Sequence, residues 1–160
     1  MVHIFDTPVG KITLVASEGA IVGLYFGIDT NKFPDSMIEK NKNNSDPVLE
    51  LCKKELAGYF AGELQKFTMP VKVEGTPFRM KVWDALRNIP YGEVASYLEI
   101  AKAIGNPKAV RAVGGANHNN PVSIIIPCHR VVGSDGSLVG YGGGLETKQF
   151  LLDLESRFKK

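Results

Sequence analysis

Two short helical segments separated by a glycine turn limit the possible folds of this chain more than any other feature. Ser96 and Glu99 have the spacing of a capping box, which predicts the start of the first helix. Gly105-Asn106 predicts a tight turn, and Pro107 predicts the first residue of a second helix that continues to about Ala116. Together these segments predict a helix-turn-helix in the second half of the chain.

The second of these helices has an almost bare surface. Arg111 is the only long side chain near its middle. The other positions are small: Ala109, Ala112, Gly114, Gly115 and Ala116. Each interior glycine costs about 1 kcal/mol relative to alanine, so helix propensity does not explain this composition. Close packing against another helix would explain it, and so would close approach to a minor groove only ~6 Å wide. The sequence leaves both interpretations open.

The first 75 residues have the pattern of a small separate domain. Residues 1–28 alternate apolar and polar side chains around Ser17-Glu18-Gly19, which predicts a hairpin, and residues 30–46 are polar. Asp46 and Pro47 predict a helix start. The apolar face of this helix has offsets of three and four: Leu49, Cys52, Leu56, Tyr59 and Phe60. An extended segment at 67–73 would close the domain.

The rest of the second half is predicted from similar patterns. A helix after Pro77 has one apolar face, formed by Phe78, Val82, Ala85, Leu86 and Ile89. Residues 131–139 contain a glycine-rich turn between two short apolar pairs, which predicts a hairpin or wing. A last helix from Thr147 to about Phe158 is expected to bury Phe150, Leu151 and Leu154.

The segment Pro127-Cys128-His129-Arg130 joins a nucleophile to a base. It follows an apolar run at 122–126 that predicts a strand, which the proline should end. A thiol at the resulting turn would be more exposed than one inside a strand, and a nearby imidazole would help it ionise. The alternative is a small buried cysteine beside an incidental histidine, since free cysteine is often buried.

Composition excludes several classes of protein. The chain is 44% hydrophobic and 22% charged, as in ordinary globular proteins. Its start lacks an export signal, and no apolar run approaches the ~18 residues that span a bilayer. Its two distant cysteines fit a reducing compartment, and its three histidines lack metal-ligand spacing. We therefore expect a cytoplasmic protein with no membrane association, no metal and no cofactor.

Charge is distributed unevenly along the chain. Residues 77–160 hold six lysines and all five arginines against seven acidic residues, whereas residues 1–76 hold eight lysines against ten acidic residues. Any contact with a polyanion is therefore expected in the second half.

The sequence resembles a known family, the O6-alkylguanine-DNA alkyltransferases. The resemblance rests on Ile126–Val131, Arg111–Ala116 and Asn120-Pro121, and it runs from about Gly75 to Glu155. It implies an α+β protein with a small RNase-H-like α/β domain at 1–75 and a winged helix-turn-helix domain at 76–160. It further implies a single-turnover methylated-DNA–protein-cysteine methyltransferase. The alkyl group would move from O6 of guanine to a cysteine and inactivate the protein, with O4 of thymine left open as a second donor.

The resemblance assigns roles by position. Cys128 would accept the alkyl group, His129 and Glu155 would form a relay through a water, and Asn120 would tie the recognition helix to the active-site loop. Tyr97 would assist base flipping and protonation of guanine. The helix residues that would meet DNA are Arg111 as an intercalating finger with Ala112, Gly115 and Ala116. The residues that would line the substrate pocket are Pro121, Val131, Tyr141 and Gly142.

Chemistry alone points the same way. Displacement of an alkyl group needs a thiolate, and the thioether product offers water no activated bond, so the protein should be consumed. The resemblance implies that the partner is double-stranded DNA containing O6-alkylguanine, and a base inside duplex DNA must be flipped out to react. The protein is expected to be a monomer. Gly142 and Ser123 depart from the serine and proline of some relatives. Three rivals remain: a cysteine hydrolase, a winged-helix transcription regulator, and a non-catalytic lesion-binding protein, against which Cys128 argues.

Overall fold

The computed structural model describes residues 2–27, 46–139, 141 and 143–159. The chain divides into two compact units, Met1–Val73 and Glu74–Lys160. Of the polar segment expected at 30–46, only Asp46 lies within the described residues. In the part of the chain that is described, no helix has the length and apolar character to cross a membrane.

The first unit contains a three-stranded antiparallel sheet, where the sequence predicted one hairpin. Strands β1 (Val2–Thr7), β2 (Gly10–Ser17) and β3 (Ala20–Phe26) lie in that order. Opposite β2, the pairing of β3 skips Val22, which places Ile21 and Leu24 in the core and leaves Val22 only half-buried. The simple alternation read from the sequence was therefore wrong at Val22, because a bulge shifts one residue out of register.

Helix α1 (Pro47–Phe60) packs beside this sheet and begins as predicted. The Asp46 carboxylate accepts a hydrogen bond from the Val48 amide at 2.9 Å, which caps the helix. Cys52 lies in the core, and burial raises the pKa of its thiol to about 12. Cys52 is thus a structural residue with no thiolate at neutral pH.

The extended segment near residue 70 is confirmed. The Ile21 amide donates to the Pro70 carbonyl at 2.8 Å, and the Lys72 amide donates to the Ile21 carbonyl at 3.0 Å. Glu55, on α1, is buried and accepts hydrogen bonds from the Thr68 amide and hydroxyl. This carboxylate therefore fastens the segment to the helix.

The second unit begins with α2 (Pro77–Arg87), followed by the predicted helix-turn-helix. Strand β4 (Ala95–Ser96) leads into α3 (Tyr97–Ala103), and α4 (Val110–His118) follows. The capping box is confirmed, since Ser96 and Glu99 exchange hydrogen bonds of 3.0 and 3.1 Å. Pro107 does not open α4 as expected. It lies in a turn closed by a bond from the Ala109 amide to the Asn106 carbonyl, a position that suits its fixed φ.

The predicted hairpin at 131–139 and the predicted strand at 122–126 both differ in the structure. β5 (Val131–Val132) pairs in parallel with β4, while residues 138–139 form no strand, so the expected hairpin is only a turn at 133–137. The apolar run at 122–126 is a buried turn in which Ile124 has a φ of +71°. A β-branched residue rarely adopts this left-handed conformation, so surrounding contacts must impose it.

Helix α5 (Leu145–Phe158) buries Leu151 and Leu154 as expected. Phe150 is 39% exposed, so its predicted burial was wrong. The inward positions are spaced three and four residues apart and are Lys148, Leu151, Leu154 and Glu155. Apolar periodicity does not anticipate this face because two of its residues are charged.

The negative charge of Glu155 is compensated by a buried arginine, Arg130. Arg130 Nε donates to Glu155 Oε1 at 2.7 Å, and its second guanidinium nitrogen donates to Oε2 at 3.0 Å. Arg130 also donates to the Ile89 carbonyl at 2.7 Å. Burial alone would raise the pKa of Glu155, but His129 and Arg130 together hold it well below its usual range. The carboxylate is therefore charged at neutral pH.

We expect Glu155→Gln to lower the free energy of unfolding of the second unit at neutral pH by about 3–5 kcal/mol, because it leaves Arg130 buried without its anion. Since folding depresses the pKa of Glu155, the stabilisation is complete above the unfolded value of about 4.3 and is lost as the pH falls below it. The difference in the free energy of unfolding between wild type and variant should therefore become smaller as the pH falls below about 4.3. Urea unfolding followed by the fluorescence of Trp83, the only tryptophan, measures it.

The matched control is Glu146→Gln, an exposed carboxylate on the same helix, which should change stability by less than about 0.5 kcal/mol. A difference in the free energy of unfolding that does not change with pH would show that the Glu155 charge does not stabilise the unit. Equal losses of stability in the two variants would show the same.

Candidate active site

Cys128 begins a short 3₁₀ turn, Cys128–Arg130, immediately after Pro127. The residue is only 3% exposed, so the expectation of an exposed thiol was wrong. The reason is the buried turn that precedes it. Asn120 Nδ2 donates to the Ile126 carbonyl at 2.8 Å, and Asn120 Oδ1 accepts from the Val122 amide at 3.0 Å. One amide side chain thus supplies the hydrogen bonds that a neighbouring strand would have supplied.

The thiol of Cys128 is surrounded by polar groups despite its burial. Burial raises the pKa of Cys128, whereas hydrogen bonds with the side chains of Asn120, Ser123 and Tyr141 lower it. The positive charge of Lys148 lowers it as well. The site therefore provides specific stabilisation for an anion on sulfur, in an environment that would otherwise favour the neutral thiol.

His129 is fully buried and paired with Glu155. Its Nε2 lies 2.7 Å from Glu155 Oε2, while its Nδ1 is buried with no hydrogen-bond partner among the described residues. Burial is the largest influence and lowers the pKa of His129, although Glu155 raises it. The imidazole is therefore neutral, with Nε2–H donated to the carboxylate and Nδ1 left as an acceptor.

Helix α4 presents an uneven set of residues to solvent. Arg111, Ala112 and Gly115 are exposed, whereas Ala116, expected with them, is 2% exposed and faces the core. A Cβ atom built on Gly115 would meet nothing within 4 Å, and one on Gly114 would only touch the Tyr97 ring at 3.9 Å. Close packing within the described residues does not require either glycine. Packing therefore explains the small side chain at Ala116 but not the two glycines.

Two inward-facing side chains near α4 were not recognised from the sequence. Asn117 Nδ2 donates to the Cys128 carbonyl at 3.4 Å, and Trp83 Nε1 donates to the Ala116 carbonyl at 2.9 Å. The first bond ties the helix directly to the backbone of the thiol-bearing turn. An amide among small residues was the only available signal.

Tyr97, at the start of α3, lies close to the same turn. Its hydroxyl is 3.5 Å from the Val139 carbonyl. Burial raises the pKa of Tyr97, and the negative form of Cys128 raises it further, while a hydrogen bond with the Asn117 side chain lowers it. The phenol is therefore protonated at neutral pH and able to donate.

The expected pocket residues differ in burial. Val131 is buried on β5, Pro121 is half-buried directly after Asn120, and Tyr141 is half-buried and lowers the pKa of the Cys128 thiol. Gly142 lies outside the described residues. Across the described ranges, no three His, Cys, Asp or Glu side chains are grouped so as to hold a metal ion.

Two family models match consecutive parts of the chain. The first is described as 6-O-methylguanine DNA methyltransferase, ribonuclease-like domain, and matches residues 1–73. The second is described as 6-O-methylguanine DNA methyltransferase, DNA binding domain, and matches residues 77–157.

Individual proteins agree with these models. A methylated-DNA–protein-cysteine methyltransferase of Methanosarcina acetivorans is 47% identical, over 95% of this chain and 96% of that protein. The constitutive methylated-DNA–protein-cysteine methyltransferase of Bacillus subtilis is 43% identical, over 94% of this chain and 92% of that protein. The crystal structure of Mycobacterium tuberculosis OGT in complex with DNA has a TM-score of 0.87 and 41% identity, covering 98% of this chain and 93% of that one. The chain belongs to the 6-O-methylguanine DNA methyltransferase family.

Proposed function

We propose that this protein repairs DNA by transferring an alkyl group from O6 of guanine to Cys128, once per molecule. The observation that carries the proposal is the polar environment of a buried thiol in a member of this family. The side chains of Asn120, Ser123 and Tyr141 lower the pKa of the Cys128 thiol, which burial raises, and the paired His129 and Glu155 lie on the adjoining elements. The relatives named above are methylated-DNA–protein-cysteine methyltransferases, which supports the same activity here.

The reaction needs one proton removed and one delivered. The thiol proton of Cys128 leaves through a bridging water toward Nδ1 of His129, whose tautomer Glu155 fixes. The thiolate attacks the alkyl carbon, a sulfur–carbon bond forms, and the carbon–O6 bond breaks with its electron pair moving to guanine. Guanine takes a proton from the Tyr97 hydroxyl, which recovers one from solvent.

The substrate is the alkylated base in duplex DNA, and α4 is the DNA-binding helix. Its bare exposed side allows the close approach that a narrow groove demands, with Ala112 and Gly115 against the backbone. Arg111 is exposed near the start of the helix, where it can enter the stack vacated by the flipped base. Ala116 supports the helix from the core side rather than contacting DNA.

The proposed division of labour places DNA binding and transfer in residues 76–160 and an RNase-H-like domain in residues 1–75. The compact units and the extents of the two family matches support this boundary. Val131, Tyr141, Pro121 and Gly142 are the proposed pocket residues. Monomeric state and a cytoplasmic location remain predictions from the sequence.

Stoichiometry tests the proposal against a cysteine hydrolase with the same pair of residues. With excess duplex carrying O6-methylguanine, repair should stop at about one equivalent of protein, and intact-mass measurement should show one added methyl on Cys128, because a thioether is not hydrolysed. Cys128→Ser should abolish transfer, whereas the control Cys52→Ala, which removes the core thiol, should retain it. Turnover beyond one equivalent would reject the assignment.

Arg111→Ala should slow repair of duplex DNA at least about tenfold, the rate equivalent of about 1.4 kcal/mol lost from the flipped state, while leaving reaction with free O6-benzylguanine unchanged. The free base needs no flipping, so the two rates separate the steps. Arg87→Ala, which removes an exposed arginine of α2, is the matched control for lost charge. Equal losses on both substrates would assign Arg111 to maintenance of the fold.

A further inference from the structure

Asn117 is a buried amide with only one end of its side chain paired. The residue lies near the end of α4 with 4% of its surface exposed. Its Nδ2 donates to the Cys128 carbonyl at 3.4 Å, whereas its Oδ1 is buried and accepts no hydrogen bond from any of the described residues. Folded proteins rarely leave a buried acceptor without a donor, so this oxygen calls for a partner that enters the site.

Two contacts place the Asn117 amide between the thiol-bearing turn and Tyr97. The Nδ2 bond holds the amide against the backbone of Cys128. One turn earlier on α4, a Cβ atom built on Gly114 would lie 3.9 Å from the Tyr97 ring. Residues three apart share one face of a helix, so Asn117 lies on the face of α4 that meets Tyr97. The proposed reaction brings the base against both of these groups.

The chemistry of the base supplies the missing donor. On the sugar-side edge of guanine, N3 accepts a hydrogen bond and the neighbouring 2-amino group donates one. Alkylation at O6 leaves N1 without a hydrogen, so the 2-amino group is the only N–H donor of the alkylated base. The Tyr97 hydroxyl, which donates, and Asn117 Oδ1, which accepts, form the complementary pair of groups.

We propose that Asn117 Oδ1 accepts a hydrogen bond from the 2-amino group of the flipped base, and that Asn117 thereby selects O6-alkylguanine as the substrate. The inference rests on the proposed function and names a residue that determines its specificity. The bond from Nδ2 to the Cys128 carbonyl fixes the orientation of the amide and so keeps Oδ1 available to the base. A buried acceptor of this kind discriminates against any base that leaves it unpaired.

The proposal predicts a preference between the two alkylated bases that the family resemblance leaves open. O4-alkylthymine has no N–H donor, because alkylation at O4 leaves its N3 without a hydrogen. Its entry would leave Asn117 Oδ1 buried and unpaired, so transfer from thymine should be slower. Thymine also differs from guanine in size, whereas O6-methylhypoxanthine differs from O6-methylguanine only by lacking the 2-amino group. Hypoxanthine therefore isolates the effect.

The test compares two duplexes that are identical except for O6-methylguanine or O6-methylhypoxanthine. Each lesion is placed opposite an abasic site, so that base pairing does not affect flipping. The single-turnover rate of methyl transfer to Cys128 is followed by intact-mass measurement. With wild-type protein, O6-methylguanine should react about three to ten times faster, the effect expected from one neutral hydrogen bond.

Asn117→Leu removes the acceptor while nearly keeping the volume of the side chain. In this variant the ratio of the two rates should fall to about one, because only the guanine duplex has a hydrogen bond to lose. A purely structural role would slow both reactions equally and keep the wild-type ratio, so a folded Asn117→Leu with that ratio would overturn the proposal. The matched control is Asn119→Leu, which removes an exposed asparagine directly after α4 and should keep the wild-type ratio.

The wild-type comparison does not depend on the folding of any variant. Equal rates of transfer from the two duplexes would overturn the role of Asn117 and leave the proposed function intact. Failure of wild-type protein to accept methyl from O6-methylguanine would reject the proposed function and this inference with it.

Discussion

Helix α5 turns a lysine and a glutamate inward, and the surrounding protein must compensate both charges without water. Arg130 and His129 converge on Glu155, and the Lys148 ammonium donates hydrogen bonds to the Val131 and Val139 carbonyls. Burial is favourable for the apolar residues of this helix and costly for its charged ones, so the arrangement persists only because each charge has a partner. The same pairings determine which atoms around the thiol carry protons.

The starts of α1 and α3 were predicted well from the sequence. Asp46 with Pro47, and Ser96 with Glu99, act locally through hydrogen bonds within a few residues, so their spacing alone is informative. Cys128 was recognised because a nucleophile and a base adjoin a proline that cannot continue a strand. The resemblance then supplied the distant partners, Glu155 and Tyr97.

The sequence-based predictions that the structure contradicts share one physical cause. At each of these positions, contacts with residues distant along the chain determine the structure. Residues 122–126 have strand composition, yet the Asn120 side chain supplies their hydrogen bonds and they form a turn. Phe150 was expected in the core, but Lys148 and Glu155 occupy the inward positions because Val131, Val139, Arg130 and His129 satisfy them. No period of apolar residues reveals such partners, since they lie on other elements.

In this structure His129 is neutral, and the groups around Cys128 that lower the pKa of its thiol are Asn120, Ser123, Tyr141 and Lys148. Nitrogen chemical shifts of the His129 ring, recorded by NMR on isotope-labelled protein at neutral pH, test the neutral state of His129 most directly. The structure predicts a proton on Nε2, donated to Glu155, and none on Nδ1. Protons on both ring nitrogens at neutral pH would identify an imidazolium and contradict the account.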